Sequence, residues 1–275
     1  MLIHTFQHIA GIGAATERRL WQHGVLTWDA LIADPSATPR VRTLEPVAEV
    51  LDASRRALAS RDGTFFVTRL RSSERWRLYP SFADSVAFFD IETTGLDMHH
   101  DVITTIALFD GREVHTFVRG RNLDAFPEQV LRYKLLVTYN GATFDVPFVE
   151  RAFPGLRLNQ AHIDLRYVLA ALGFRGGLKG CERQMGLRRA PGLEEVDGFL
   201  AVLLWHAHER GDARAMPALL RYNIEDAVNL RWLMETAYNL AIQRIAAPAD
   251  SIPVSVAPAL DWPHDPGIIA ELLRV

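Results

Sequence analysis

Apolar residues change their spacing near residue 86. Ahead of that point Val47, Val50, Leu51 and Leu58 recur at a near-helical period behind Pro46, which predicts a helix over residues 46–60 with proline in its first turn. Residues 1–34 read as a small helical module, and 35–45, with Pro35, Ser36, Thr38, Pro39 and Thr43, as a loop. Phe65-Phe66-Val67 reads as a short strand, and the alternation of Arg69, Arg71, Arg75 and Arg77 suits a solvated edge. From residue 86 the runs shorten and become densely apolar. Val86–Ile91, Val102–Phe109, Val114–Val118 and Leu135–Tyr139 read as strands, the first three close enough together for a meander. Asp124–Arg132 and Phe144–Phe153 read as helices, Ala161–Leu165 as a short strand, and 165–173, 178–186, 194–210 and 214–242 as helices. A tail from Ala247, punctuated by Pro248, Pro253, Pro258, Pro263 and Pro266, predicts an extended strap with at most a short terminal helix. The expected class is α/β, a mixed sheet flanked by helices, with a small N-terminal all-helical module. The expected divisions are 1–60, 61–246 and 247–275.

Composition narrows the classes. Hydrophobic residues form 49% of the 275 positions, enough for a sizeable core and too many for wholesale disorder. No apolar run is as long as a membrane span, and the opening Met1-Leu2-Ile3-His4 has no signal-peptide pattern, so a soluble, cytoplasmic protein is expected. Cys181 is the only cysteine, which rules out an intramolecular disulfide and reads as a core filler. Net charge is −3, against a non-specific nucleic-acid coat. Residues 1–80 nonetheless carry eleven arginines against eight acids. A basic front and an acidic back suit a protein that holds phosphates with one part and metal with the other; chance variation over so small a count fits equally well.

The acids are where the chemistry concentrates. In Phe88-Phe89-Asp90-Ile91-Glu92-Thr93-Thr94-Gly95-Leu96, Asp90 and Glu92 lie two apart at the end of an apolar strand and so share a face. Two carboxylates there repel and lose hydration unless a cation sits between them. Asp145 follows the turn pair Asn140-Gly141 and falls in the first turn of the next helix, where an acid is also favoured by the helix dipole alone. Tyr222 and Asp226 lie four apart, on one face of a long helix. Four such carboxylates in one place require roughly two divalent ions, and hard oxygen ligands suit Mg²⁺ or Mn²⁺.

Asp90-Ile91-Glu92-Thr93-Thr94-Gly95-Leu96, Asn140-Gly141 with Phe144-Asp145, and Tyr222 with Asp226 together resemble, in order along the chain, the three motifs of the DEDD 3′–5′ exonuclease superfamily in its tyrosine-bearing branch. The resemblance covers about residues 80–242 and is nearest to bacterial ribonuclease H-like domain proteins of unassigned role. It implies a ribonuclease H-like fold and a metal-dependent 3′–5′ exonuclease acting on DNA or RNA, with a single-stranded 3′ end as its partner. By that resemblance Asp90, Glu92, Asp145 and Asp226 are the ligands of two Mg²⁺ or Mn²⁺ ions, and Tyr222 orients the attacking water. Leu96 would wedge against the terminal bases, Thr93 and Gly95 would bring backbone near the terminal 3′-hydroxyl, and Asn140 and Phe144 would shape the cleft. A catalytically quiet binding protein that kept the fold, or an endonuclease using the same site, are the competing readings.

Other residues have two readings each. Phe144 and Phe148, four apart, suit the core better than base stacking. His162 and Asp164 share a strand face; Asp164 suits a helix cap better than an auxiliary ligand. Lys179 suits a substrate phosphate and a solvated position equally. His99 and His100 are adjacent and would point apart, against a metal pair. At the N-terminus, Ile9-Ala10-Gly11-Ile12-Gly13 followed by Leu20, Gly24-Val25, Trp28 and Leu31 resembles a helix-hairpin-helix motif, with Gly11 and Gly13 giving a tight turn at positive φ and Arg18 and Arg19 on the helix behind it. That implies contact with nucleic-acid backbone; a packing module is the alternative.

Overall fold

The computed structural model describes residues 1–34, 46–189, 198–256, 262 and 265–273. The expected loop over 35–45, the start of the helix expected from 194, and Pro258 and Pro263 of the tail lie outside them. The helices are α1 (Ala14–Gln22), α2 (Trp28–Ala33), α3 (Val47–Ala59), the single turns α4 (Thr64–Val67) and α5 (Tyr79–Phe82), α6 (Phe126–Val130), α7 (Asp145–Ala152), α8 (Leu165–Leu172), α9 (Gly177–Met185), α10 (Gly198–Glu209), α11 (Ala215–Ile245) and α12 (Pro266–Leu272). The strands are β1 (Val86–Thr93), β2 (Ile103–Phe109), β3 (Val114–Val118), β4 (Leu135–Thr138) and β5 (Ala161–Asp164). No helix among the described residues is long and apolar enough to cross a membrane.

The sheet order is β3-β2-β1-β4-β5, so β1 is central. β1, β2 and β3 form the antiparallel meander, while β4 and β5 run parallel to β1. The C-terminal ends of β1, β4 and β5 therefore open on one edge, where parallel sheets collect ligand-binding side chains. Period-2 alternation divides β1 between two cores. Val86 and Phe88 pack into the larger one with α8, α10 and α11. Ala87, Phe89 and Ile91 pack into the smaller one with Phe126, Phe148 and Val149 of α6 and α7. Asp90 and Glu92 continue the Val86–Phe88 face, so they meet α11.

The N-terminal segment shares the larger core: Phe6, Trp28 and Leu31 belong to the same apolar cluster as Phe88 and Tyr238. A polar knot fixes it. The Glu17 carboxylate of α1 accepts from the Thr5 hydroxyl (2.7 Å), the Phe6 amide (2.8 Å) and the Gln7 side chain (2.6 Å), and lies 3.1 Å from the Arg77 guanidinium. Arg77 is fully buried and also pairs with Glu74 at 2.9 Å.

Two expectations fail here. Phe65–Val67 is helical, not a strand, because the Asp62 carboxylate caps the Thr64 and Phe65 amides and starts a turn. Nor do the four arginines form a solvated edge: Ser72–Leu78 is a 3₁₀ helix that turns Arg77 inward, although Arg69 and Arg71 stay exposed. The helix expected over 124–132 is a 3₁₀ turn (Leu123–Ala125) running into α6, with Pro127 in the first turn. The described tail does run as a strap: Ile252 and Asn239 exchange hydrogen bonds, and Ser255 donates to Glu235, so residues 250–255 lie along α11 before α12.

Candidate metal centre

Asp90 and Glu92 reach the site from the end of β1, beside a register shift at Glu92/Thr93. Asp226 and Tyr222 reach it from α11, and Asp145 from the first residue of α7. One carboxylate oxygen each from Asp90, Glu92 and Asp226 lies within 4.8 Å of the others. Asp145 stands just outside that trio, and its Oδ1 accepts the Ile91 amide at 3.3 Å. Burial and the mutual repulsion of the acids raise the Asp90 and Glu92 carboxyls well above their ordinary range. Burial lifts Asp145 to about 7, against the backbone hydrogen bonds that favour its charge. An arrangement that resists its own ionisation, built only of hard oxygen donors, fits a divalent cation of the Mg²⁺ or Mn²⁺ type.

The surrounding groups hold this arrangement in place. Asn223, fully buried beside Tyr222, donates Nδ2 to the Asp90 carboxylate (2.8 Å) and carbonyl (3.1 Å), while its Oδ1 accepts from Thr105 at 3.0 Å. The turn before α7 is held from β5: Asp164 accepts the amides of Asn140 (2.8 Å) and Ala142 (3.1 Å) and caps α8 through Arg166 (3.0 Å). Asp164 is thus a cap twice over. His162 bonds the Thr138 hydroxyl at 2.8 Å, and burial lowers its pKa to about 4. Asn140 occupies the left-handed region at φ 66°. A Cβ on Gly141 would lie 2.2 Å from Thr138 Oγ1, so only glycine fits between β4 and α7.

Arg189 is the feature that the sequence patterns did not disclose. It forks onto Glu182 of α9 (Nε to Oε2 2.6 Å, Nη2 to Oε1 2.8 Å) and pairs with Asp226 through Nη2. Asn229, one turn beyond Asp226, donates to the same Glu182 at 3.0 Å. Burial opposes the guanidinium charge, but Asp226 and Glu182 outweigh it and raise its pKa further. Lys179 is not a solvated lysine: its Nζ lies 4.6 Å from the Tyr222 ring centroid. Tyr222 itself is buried, and burial together with the Asp226 charge holds its phenol protonated far above neutral pH.

The remaining candidates are spread out. Leu96 is 83% exposed at the tip of the loop after β1. Thr93 donates to the Gly95 carbonyl, and a Cβ on Gly95 would lie 2.4 Å from the Asp101 carboxylate, so close packing accounts for that glycine. Phe148 is core, and the Phe144 ring packs on it at a tilt, with centroids 4.8 Å apart. His99 and His100 bond Arg151 and Asp97 respectively. Cys181 is buried, with Sγ 3.8 Å from the Tyr139 hydroxyl. Gly11 takes φ 83°, but Gly13 is an extended N-cap of α1, so only one of the two glycines turns at positive φ.

A central strand bearing two acids, met by a third on a long covering helix, defines a class of α/β folds with an acidic pocket at the sheet edge. The RNase_H superfamily model matches residues 87–238, and the chain belongs to that superfamily. No curated protein matches. Among solved structures the chain is similar to the family B DNA polymerase of the hyperthermophilic archaeon Pyrobaculum calidifontis, at 19% identity and a TM-score of 0.44, over 60% of this chain and 27% of that one. The chain thus spans about a quarter of that polymerase's length.

Proposed function

We propose that this chain is a divalent-metal-dependent nuclease that removes nucleotides from the 3′ end of DNA or RNA by hydrolysis. The observation that carries the reading is the convergence of Asp90, Glu92 and Asp226, with ligand oxygens within 4.8 Å of one another, beside Asp145. Asp90, Glu92 and Asp226, with Asp145 beside them, would hold the ions. Such ions would supply the positive charge that activates water and stabilises a leaving phosphodiester oxygen. The protein's own part is positional. Asn223 fixes the Asp90 carboxylate. The protonated Tyr222 phenol is suited to orient a water by hydrogen bonding and not to act as a base. Leu96, exposed at the loop tip, would meet terminal bases. Residues 9–13, with Gly11 and Gly13, would hold backbone phosphate and assist the site.

A 5′-labelled single strand incubated with Mg²⁺ or Mn²⁺ should shorten stepwise from its 3′ end. That shortening should vanish in Asp226→Asn and slow less severely in Tyr222→Phe. The Arg189–Asp226 pair favours one second reading, a fold kept for nucleic-acid binding whose acids are balanced from within. Tight binding with no cleavage in either metal would support it. A circular substrate separates an exonuclease, which leaves it intact, from an endonuclease.

A further inference from the structure

A cleft of about 570 Å³ lies against the loop that leads out of β1. Three segments build it: the loop between β1 and β2, the stretch after β3, and the last turn of α7. Its polar lining is dominated by Arg119, Arg121 and Arg151. All three are exposed, and no carboxylate among the described residues lies within ion-pair distance of any of them. Two are held rigidly without losing their charge. Arg119 donates Nε to the Ile103 carbonyl at 2.8 Å, and Arg151 donates to the His99 carbonyl and meets its ring nitrogen, both at 2.9 Å. Each guanidinium keeps further N–H groups for an anion. The lining also holds two acids, Asp124 and Asp101, the latter accepting from the Thr94 hydroxyl (2.9 Å) and the Asp97 amide (2.8 Å), so the three arginines outnumber the carboxylates. In a chain of net charge −3, this is a local positive groove.

The groove and the acid site share elements. Ile103 in its lining pairs with Thr93 at the end of β1, and the Phe148 ring in its wall meets, at a tilt, the ring of Phe144, the residue before Asp145. Arg151 lies six residues beyond Asp145 on the same helix, about 9 Å along its axis at ~1.5 Å per residue.

We propose that this cleft binds the phosphodiester backbone of a polynucleotide whose end lies in the acid pocket. The inference rests on the nuclease reading and adds the path of the strand beyond the site. Arg119, Arg121 and Arg151 neutralise successive phosphates without reading bases. Binding should therefore depend on strand length and on salt.

The test is fluorescence anisotropy on the full chain in EDTA, where no turnover occurs, with labelled single strands of about 20 and about 4 nucleotides. In the triple variant Arg119→Gln/Arg121→Gln/Arg151→Gln, Kd for the long strand should rise about tenfold or more. The slope of log K against log salt should flatten by about 2, from three contacts at ~0.7 each. The short strand should lose far less. Arg121→Gln alone, whose side chain makes no hydrogen bond among the described residues, should show about a third of that slope change and covers the case of a misfolded triple variant. Unchanged long-strand affinity and slope would overturn the proposal, as would equal weakening on both lengths or a wild-type chain that binds neither strand. So would displacement of the long strand by tripolyphosphate at matched charge, which would make the groove a small-anion site. A wild-type chain that binds through the groove but never shortens the strand in Mg²⁺ or Mn²⁺ would sink the nuclease reading and leave the groove standing.

Discussion

Replacing Asp90 by asparagine should make the protein more stable and inactive together. The side chain keeps its shape, and its oxygen can still accept from Asn223 Nδ2, now at 2.8 Å from the carboxylate. What disappears is a charge within 4.8 Å of two others. At an effective dielectric constant of about 20, two unit charges at that separation repel by about 3.5 kcal/mol. Proton uptake by the crowded acids already relieves part of this, so the net gain expected in EDTA is about 1–3 kcal/mol. The assay is urea unfolding with EDTA and with excess Mn²⁺, alongside turnover. Wild type should gain about 2.7 kcal/mol from Mn²⁺ at a hundredfold excess over Kd, and Asp90→Asn almost nothing. Turnover should fall by about a thousandfold or more, equivalent to ~4 kcal/mol of lost transition-state stabilisation. An Asp90→Asn protein that is less stable than wild type in EDTA and still stiffened by Mn²⁺ would refute the reasoning.

Three further outcomes are expected. Arg189→Met should cost about 3–5 kcal/mol, because Glu182 is left buried without its cation, and Arg189→Met/Glu182→Met should recover much of it; a double-mutant cycle with no coupling would disprove the pairing. Gly95→Ala should push the Asp101 side chain aside and cost two hydrogen bonds of about 1 kcal/mol each, read as lower stability and slower cleavage. His8 is held neutral, mainly by burial and then by Arg69 and Arg77, which bring its pKa down to about 3 from the ordinary 6.5. Protons therefore bind the unfolded chain first, and stability falls as pH drops from about 6.5 towards 3, by about 2 kcal/mol at pH 5. Urea midpoints at pH 7.5 and pH 5 should show that loss shrinking in His8→Gln.

The sheet and the acids were legible because each rests on short-range periodicity. Two-residue alternation in β1 announces both its two cores and the shared face of Asp90 and Glu92, and the four-residue interval does the same for Tyr222 and Asp226 on α11. Contacts made across many residues left no such trace. Arg189 enters from a segment after α9 and finds Glu182 and Asp226 by tertiary folding. Asn223 carried a faint signal, a polar residue adjacent to Tyr222 and between the apolar Leu220 and Ile224, and its partners are Asp90 and Thr105 on the sheet. At Phe65–Val67 a strand and a capped helical turn share the same three apolar residues, and the deciding group, Asp62, lies just before them.

The Glu17–Arg77 pair has a practical consequence for anyone trimming the chain to its superfamily domain. A cut after residue 60 removes Glu17, leaves Glu74 as the remaining acidic partner of Arg77, and takes away the apolar floor supplied by Phe6 and Trp28. The shortened protein would be expected to precipitate on expression.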